Sequence, residues 1–73
     1  MPKLYSSKEI QSALIKLGFN FISQKGSHGK LKNTDGQVVI LPMNKKEIPQ
    51  GTLSSILRQA GISSKQLKDI IEK

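Results

Sequence analysis

Apolar positions recur along this chain with two different periods, and the switches between them mark out its elements. Ile10, Ala13, Leu14 and Leu17 follow one another at helical spacing and make a single stripe. Ser6-Ser7-Lys8-Glu9 ahead of them is a capping box, in which the serine hydroxyl accepts from the Glu9 backbone N–H and the Glu9 side chain reaches back. Gly18 supplies the left-handed residue that ends a helix, so the spacing predicts a first helix from about Ser7 to Leu17. The period then falls to two. Phe19 to Gln24 reads as a strand with Phe19 and Phe21 on one face, and Lys25-Gly26-Ser27 as a tight turn. From His28 to Asn33 the residues alternate, with His28, Lys30 and Lys32 pointing one way and Gly29, Leu31 and Asn33 the other. Asn33-Thr34-Asp35-Gly36 carries the Asp-Gly signal of a hairpin, and Gln37 to Leu41 forms a third strand that Pro42 stops.

The helical period returns after a polar loop from Asn44 to Glu47. Pro49 falls where a first helical turn tolerates proline, Leu53, Ile56, Leu57 and Ala60 form the apolar face of a second helix, and Gly61 ends it. Ser63-Ser64-Lys65-Gln66 is another capping box, and it opens a short last helix that buries Leu67, Ile70 and Ile71. The order is helix, three strands, helix, terminal helix. This predicts a two-layer α+β domain, a three-stranded antiparallel sheet with helices on one face. Each helix offers one stripe, and the sheet has just enough Phe, Ile, Leu and Val to cover both. Residues 1–73 read as a single domain without internal repeat, low-complexity segment or interior linker; only Met1 to Tyr5 and the last residues are expected to be loose.

Composition narrows the class of molecule. A chain of 73 residues hides a smaller share of its surface than a large domain does, so its core must be thin. The chain contains no cysteine, which removes disulfides and thiolate metal sites and suits the cytoplasm. The amino terminus lacks the apolar stretch of a signal peptide, and the longest apolar run, Val38 to Met43, is far too short to span a bilayer. A soluble cytoplasmic protein is expected, without a membrane partner. Charge adds more. Twelve Lys or Arg against five Asp or Glu leave +7. Between Lys16 and Lys46 stand six lysines (Lys16, Lys25, Lys30, Lys32, Lys45 and Lys46) and one carboxylate, Asp35. Such a local excess attracts polyanions. Nucleic acid is the first candidate, an acidic protein the second and an anionic membrane the third.

The one histidine sits in Lys25-Gly26-Ser27-His28-Gly29-Lys30, between two glycines and two lysines, where a turn enters a strand. The glycines remove bulk, so that a phosphate can approach, and the lysines supply positive charge to hold it. Histidine is the side chain that gives and takes protons most readily near neutrality. RNA carries its own nucleophile, the 2′-OH, so a ribonuclease needs no metal if one group removes that proton and another assists the leaving oxygen. Lys25 and Lys30 can assist by charge and Ser27 by hydrogen bonding. These residues alone leave two readings open, a proton-transfer group and an ordinary polar surface histidine. Neither a second histidine nor clustered carboxylates offer a metal site, and no phosphate-binding Walker loop, dinucleotide fingerprint or nucleophile elbow is present. Gly51-Thr52 reads as a helix start or, less simply, as backbone donors for a phosphate.

Several short motifs, taken in order, resemble the HicA toxins of toxin–antitoxin systems (also described as YcfA-like). They are Leu17-Gly18-Phe19, Gln24-Lys25-Gly26-Ser27-His28, Val39-Ile40-Leu41-Pro42, Lys46-Glu47-Ile48 and Gly51-Thr52-Leu53 through Ile56-Leu57-Arg58-Gln59-Ala60-Gly61, over about Ser7 to Ile62. The resemblance implies a fold like that of double-stranded RNA-binding domains. It also implies a metal-independent endoribonuclease, free of cofactors, that cleaves messenger RNA and blocks translation, with the Gly-Ser-His histidine, His28, as its catalytic residue. The implied partner is a HicB-type antitoxin, whose partial RNase H-like domain covers the toxin and shields that histidine. Many relatives carry a second histidine two positions after the strand-ending proline, where this chain has Asn44. Asn cannot transfer protons at neutral pH but can hydrogen-bond a phosphate or a base. The expected site is therefore His28, with Lys25, Gly26, Ser27, Gly29, Lys30, Lys32, Asn44, Lys45 and Lys46 supporting it or binding RNA. The competing expectation is a non-catalytic RNA-binding module of the same fold, for which Lys45 and Lys46 at a loop end would serve.

Overall fold

A computed structural model describes residues 4–72. Its elements are α1 (Ser7–Lys16), β1 (Asn20–Lys25), β2 (His28–Lys32), β3 (Val38–Pro42), α2 (Gln50–Ala60) and α3 (Ser64–Ile71). The three strands form one antiparallel sheet in the order β1-β2-β3. This is the α+β arrangement that the periodicity predicts. Both capping boxes are present: the Ser6 hydroxyl accepts from the Glu9 N–H while Glu9 accepts from the Ser6 N–H, and Ser63 and Gln66 do the same.

Alternation along β2 and β3 decides how the sheet is covered. Leu31, Val39 and Leu41 point to the helices and are fully buried among Ile10, Leu14, Ile56 and Leu67. His28, Lys30, Lys32 and Ile40 point the other way and are exposed. Helix α2 lies on β3, and α3 packs against α1. The outer edge of β3 is closed locally: the Ile40 N–H donates to Gln59 Oε1 of α2 at 2.9 Å, and Pro42 has no N–H to leave unpaired.

The two hairpins close differently. Lys25 and His28 pair across a two-residue loop in which only Gly26 takes a positive φ, 60°, the glycine-first pattern of a type II′ turn. The second is longer than a bare Asp-Gly turn. Asn33 and Gln37 close it, Gly36 takes φ 86°, and the Asn33 side chain binds the Asp35 and Gln37 N–H groups. A type I turn followed by a left-handed glycine fits this pattern.

Several expectations need correction. Tyr5 is not loose: it is only 8% exposed, its carbonyl accepts from the Ile48 N–H at 2.8 Å, and its hydroxyl donates to Glu72 at 3.0 Å. Met1, Pro2, Lys3 and Lys73 lie outside the described residues. Phe19 is buried just before β1, but Phe21 is 40% exposed, because β1 is an outer strand that α1 barely reaches. Pro49 is the N-cap of α2, one residue earlier than expected, and Pro42 is the last residue of β3 rather than the one beyond it. Ile70 and Ile71 are partly buried against the core instead of inside it. Ile48, within the loop, is a full core member that its polar neighbours hid.

The Tyr5–Glu72 bond joins the two ends of the described chain, and it has a pH signature. Burial, and then the hydrogen bond and charge of Glu72, raise the Tyr5 phenol above its ordinary value of 10.0. The fold therefore favours the neutral phenol. Its contribution is complete below the unfolded value and is lost as pH rises through the higher folded value. Tyr5→Phe should cost about 1 kcal/mol at neutral pH. It should also lose less stability than the parent between pH 9 and pH 11 in urea denaturation; parallel losses would contradict this linkage.

Candidate active site at the rim of the sheet

His28 is the first residue of β2, paired with Lys25 on one side and Pro42 on the other. Directly opposed residues in an antiparallel ladder share a face. Lys25, His28 and Pro42 thus make one row at the open end of the uncovered face. Behind it come the row Ser23, Lys30 and Ile40 and the row Asn20, Lys32 and Val38. The imidazole is exposed, and its Nδ1 lies 3.4 Å from Ser27 Oγ. That is a long hydrogen bond whose direction depends on the ring tautomer. The Gln24 amide donates to the Gly26 carbonyl at 3.0 Å and holds the turn from within.

The two glycines beside this histidine do different things. Gly26 has open space where a side chain would stand, and its positive φ is what the turn requires. Gly29 is buried on the opposite face. A Cβ there would come within 2.9 Å of both the Phe21 ring and the Met43 sulfur. Its lack of a side chain therefore makes room for Phe21 and Met43, not for a phosphate as the sequence suggested.

The remaining expected residues gather nearby. Met43, just beyond β3, donates its N–H to the Ser27 carbonyl at 2.7 Å. Asn44 follows with a left-handed backbone, φ 62°, which asparagine tolerates better than most residues. Ser7 holds this loop. Its hydroxyl, in the one buried polar residue among those described, donates to the Pro42 carbonyl at 2.6 Å and accepts from the Lys45 N–H at 3.0 Å. Its own N–H donates to the Lys45 carbonyl at 2.9 Å. The first turn of α1 and the loop consequently enclose an open groove of about 400 Å³ lined by Ser6, Ser7, Lys8, Gln11, Met43, Asn44, Lys45 and Lys46.

The expected residues therefore fall into two neighbouring groups. His28 with Lys25, Ser27, Lys30 and Lys32 marks the open face and its rim; Asn44, Lys45 and Lys46 face the groove. Ser6, Ser7, Lys8, Gln11 and Met43 were not among the expected site residues. The helix pattern showed which face α1 buries, but not what its first turn meets across 35 residues of chain or more. Gly51 and Thr52 form an ordinary helix start after Pro49, without a side-chain cap. Among the described residues no group of three or more His, Asp or Glu is placed to hold a metal ion. None of the described helices is long and apolar enough to cross a membrane.

Residues 7–62 match the family model described as the HicA toxin of bacterial toxin–antitoxin systems. The match runs from the first residue of α1 past the end of α2, and it includes the His28 rim and all of the groove lining except Ser6. No curated protein matches the chain.

Ser7→Ala should leave the Lys45 N–H and the Pro42 carbonyl without their buried partner, which costs about 1–3 kcal/mol. Urea denaturation would read the loss, and hydrogen exchange should show the Lys45 amide opening before the β2 amides. An unchanged midpoint would mean that the loop is held in some other way.

Proposed function

The chain belongs to the HicA toxin family of bacterial toxin–antitoxin systems, and from that membership we propose that it is a metal-independent endoribonuclease that cuts messenger RNA in the cytoplasm. The observation that carries this reading is the exposed His28 imidazole in a row with Lys25, on a face that also carries Lys30 and Lys32.

The chemistry follows from the donor set. In the tautomer whose Nδ1–H donates to Ser27 Oγ, the ring keeps the Nε2 lone pair free. Nε2 takes the proton of a ribose 2′-OH as that oxygen bonds to phosphorus. The bond from phosphorus to the 5′-oxygen of the next nucleotide breaks, and that oxygen takes a proton from Lys25 or from water. The products are a 2′,3′-cyclic phosphate and a 5′-hydroxyl, and a water or buffer molecule takes the proton from His28. Lys25 and Lys30 stabilise the charge that gathers on the phosphoryl oxygens. Asn44, which stands where many relatives have a second histidine, serves as a hydrogen-bonding group and moves no proton. In the resting cell a HicB-type antitoxin covers the rim and denies RNA access to His28.

Asn44 also favours a second reading, a non-catalytic RNA-binding module on the same scaffold. One experiment separates the two: incubation with RNA in EDTA, followed on a gel. Because His28 is exposed, His28→Ala should leave the fold within about 0.5 kcal/mol of the parent. RNA binding should be largely intact, while cleavage falls by about 100-fold or more. Retarded but uncut RNA with the unaltered protein would favour the binder, and an alanine variant cutting at the normal rate would overturn the role of His28.

A further inference from the structure

The groove beside the rim holds three lysines that the catalytic proposal does not use. Lys8 enters it from the first turn of α1, and Lys45 and Lys46 enter it from the loop after β3. Its other walls are Ser6, Ser7, Gln11, Asn44 and Met43, so three cations face a space that no carboxylate lines. It is also built rather than incidental. Three hydrogen bonds to Ser7, between 2.6 and 3.0 Å, fix the loop against the helix.

Its position is the second observation. Met43 forms the wall nearest the rim, and it touches both neighbours of His28 in the chain. Its N–H donates to the Ser27 carbonyl at 2.7 Å, and its sulfur stands 2.9 Å from where a Gly29 Cβ would be. The groove and the imidazole thus lie at the same end of the sheet, on its two faces, with Met43 between them. A polyanion held at His28 that continues round this end of the sheet passes Met43 and meets the three lysines.

We propose that this groove is a phosphate subsite for single-stranded RNA, in which Lys8, together with Lys45 and Lys46, holds the backbone of a strand that also reaches His28. The inference rests on the nucleic-acid reading of the site and adds to it Lys8 and the direction the strand takes. A groove of about 400 Å³ has room for one unit of a strand. Lysine suits the task as a point charge that tracks a backbone without reading sequence.

The test uses the His28→Ala protein, so that RNA stays intact, and follows its binding to a fluorescent single-stranded oligonucleotide over a range of salt concentrations. Each phosphate neutralised on a single strand contributes about 0.7 to the slope of log affinity against log salt. Lys8→Gln should lower that slope by about 0.7 and weaken binding about five-fold at about 0.1 M salt. Lys65→Gln, the same change of charge on exposed α3, should leave the slope unchanged. If Lys8→Gln keeps the parental slope, or loses no more than Lys65→Gln does, the groove does not hold the RNA backbone and its lysines serve another partner. The result is independent of catalysis: a parent protein that fails to cut RNA removes the nuclease reading, while the salt slope still decides the groove.

Discussion

The register between β2 and β3 pairs His28 with Pro42, and the placement of every polar group in the site depends on that pairing. Side chains alternate across a sheet, so a slip of one residue would turn His28, Lys30 and Lys32 towards the helices and bring Gly29 and Leu31 to the solvent. Burial of Leu31, Val39 and Leu41 opposes that slip, since each is fully covered in the observed register. The Met43 N–H on the Ser27 carbonyl carries the same register one step past the end of the ladder. Ser7 then ties the continuing chain to α1. Core packing and site geometry are two results of one alignment.

This economy suits a chain of 73 residues, in which little material is available for a core. The helices cover one face of the sheet, and the lysines of β1 and β2 are placed on the other face and at its end. No buried side-chain nitrogen or oxygen among the described residues lacks a partner. The lysines of the rim and the groove are exposed, so holding them together carries no desolvation penalty in the free protein, only mutual repulsion screened by salt. A bound polyanion relieves that repulsion and releases counterions from its own phosphates.

The elements and the open face could be read from the sequence because they depend on short-range pattern. Capping boxes at Ser6 and Ser63, period-two alternation from His28, and glycines after the helices each state a local preference that the fold keeps. The placement of His28, Lys30 and Lys32 on one exposed face follows directly from that alternation. What stayed hidden depends on contacts between distant segments. Ser7 reads as the first turn of a helix, yet its hydroxyl is the pin of the loop after Pro42. Tyr5 reads as a frayed end, yet Ile48 and Glu72 hold it. Gly29 reads as room for a ligand, and it is room for Phe21 and Met43. In each case the residue type was suggestive, but the partner that gives it meaning lies in another element of the fold.

The same limit applies to the chemistry, where geometry supplies an exposed imidazole among cations and the proposed reaction takes its nucleophile from the ribose. The most direct measurement is made on an RNA whose cut linkage carries a 2′-deoxyribose, compared in EDTA with the all-ribose strand. The account predicts that the ribose strand yields a 2′,3′-cyclic phosphate and a 5′-hydroxyl, while the deoxy linkage stays whole. Cutting of the deoxy linkage, or cutting of either strand only after a divalent metal is added, would contradict it.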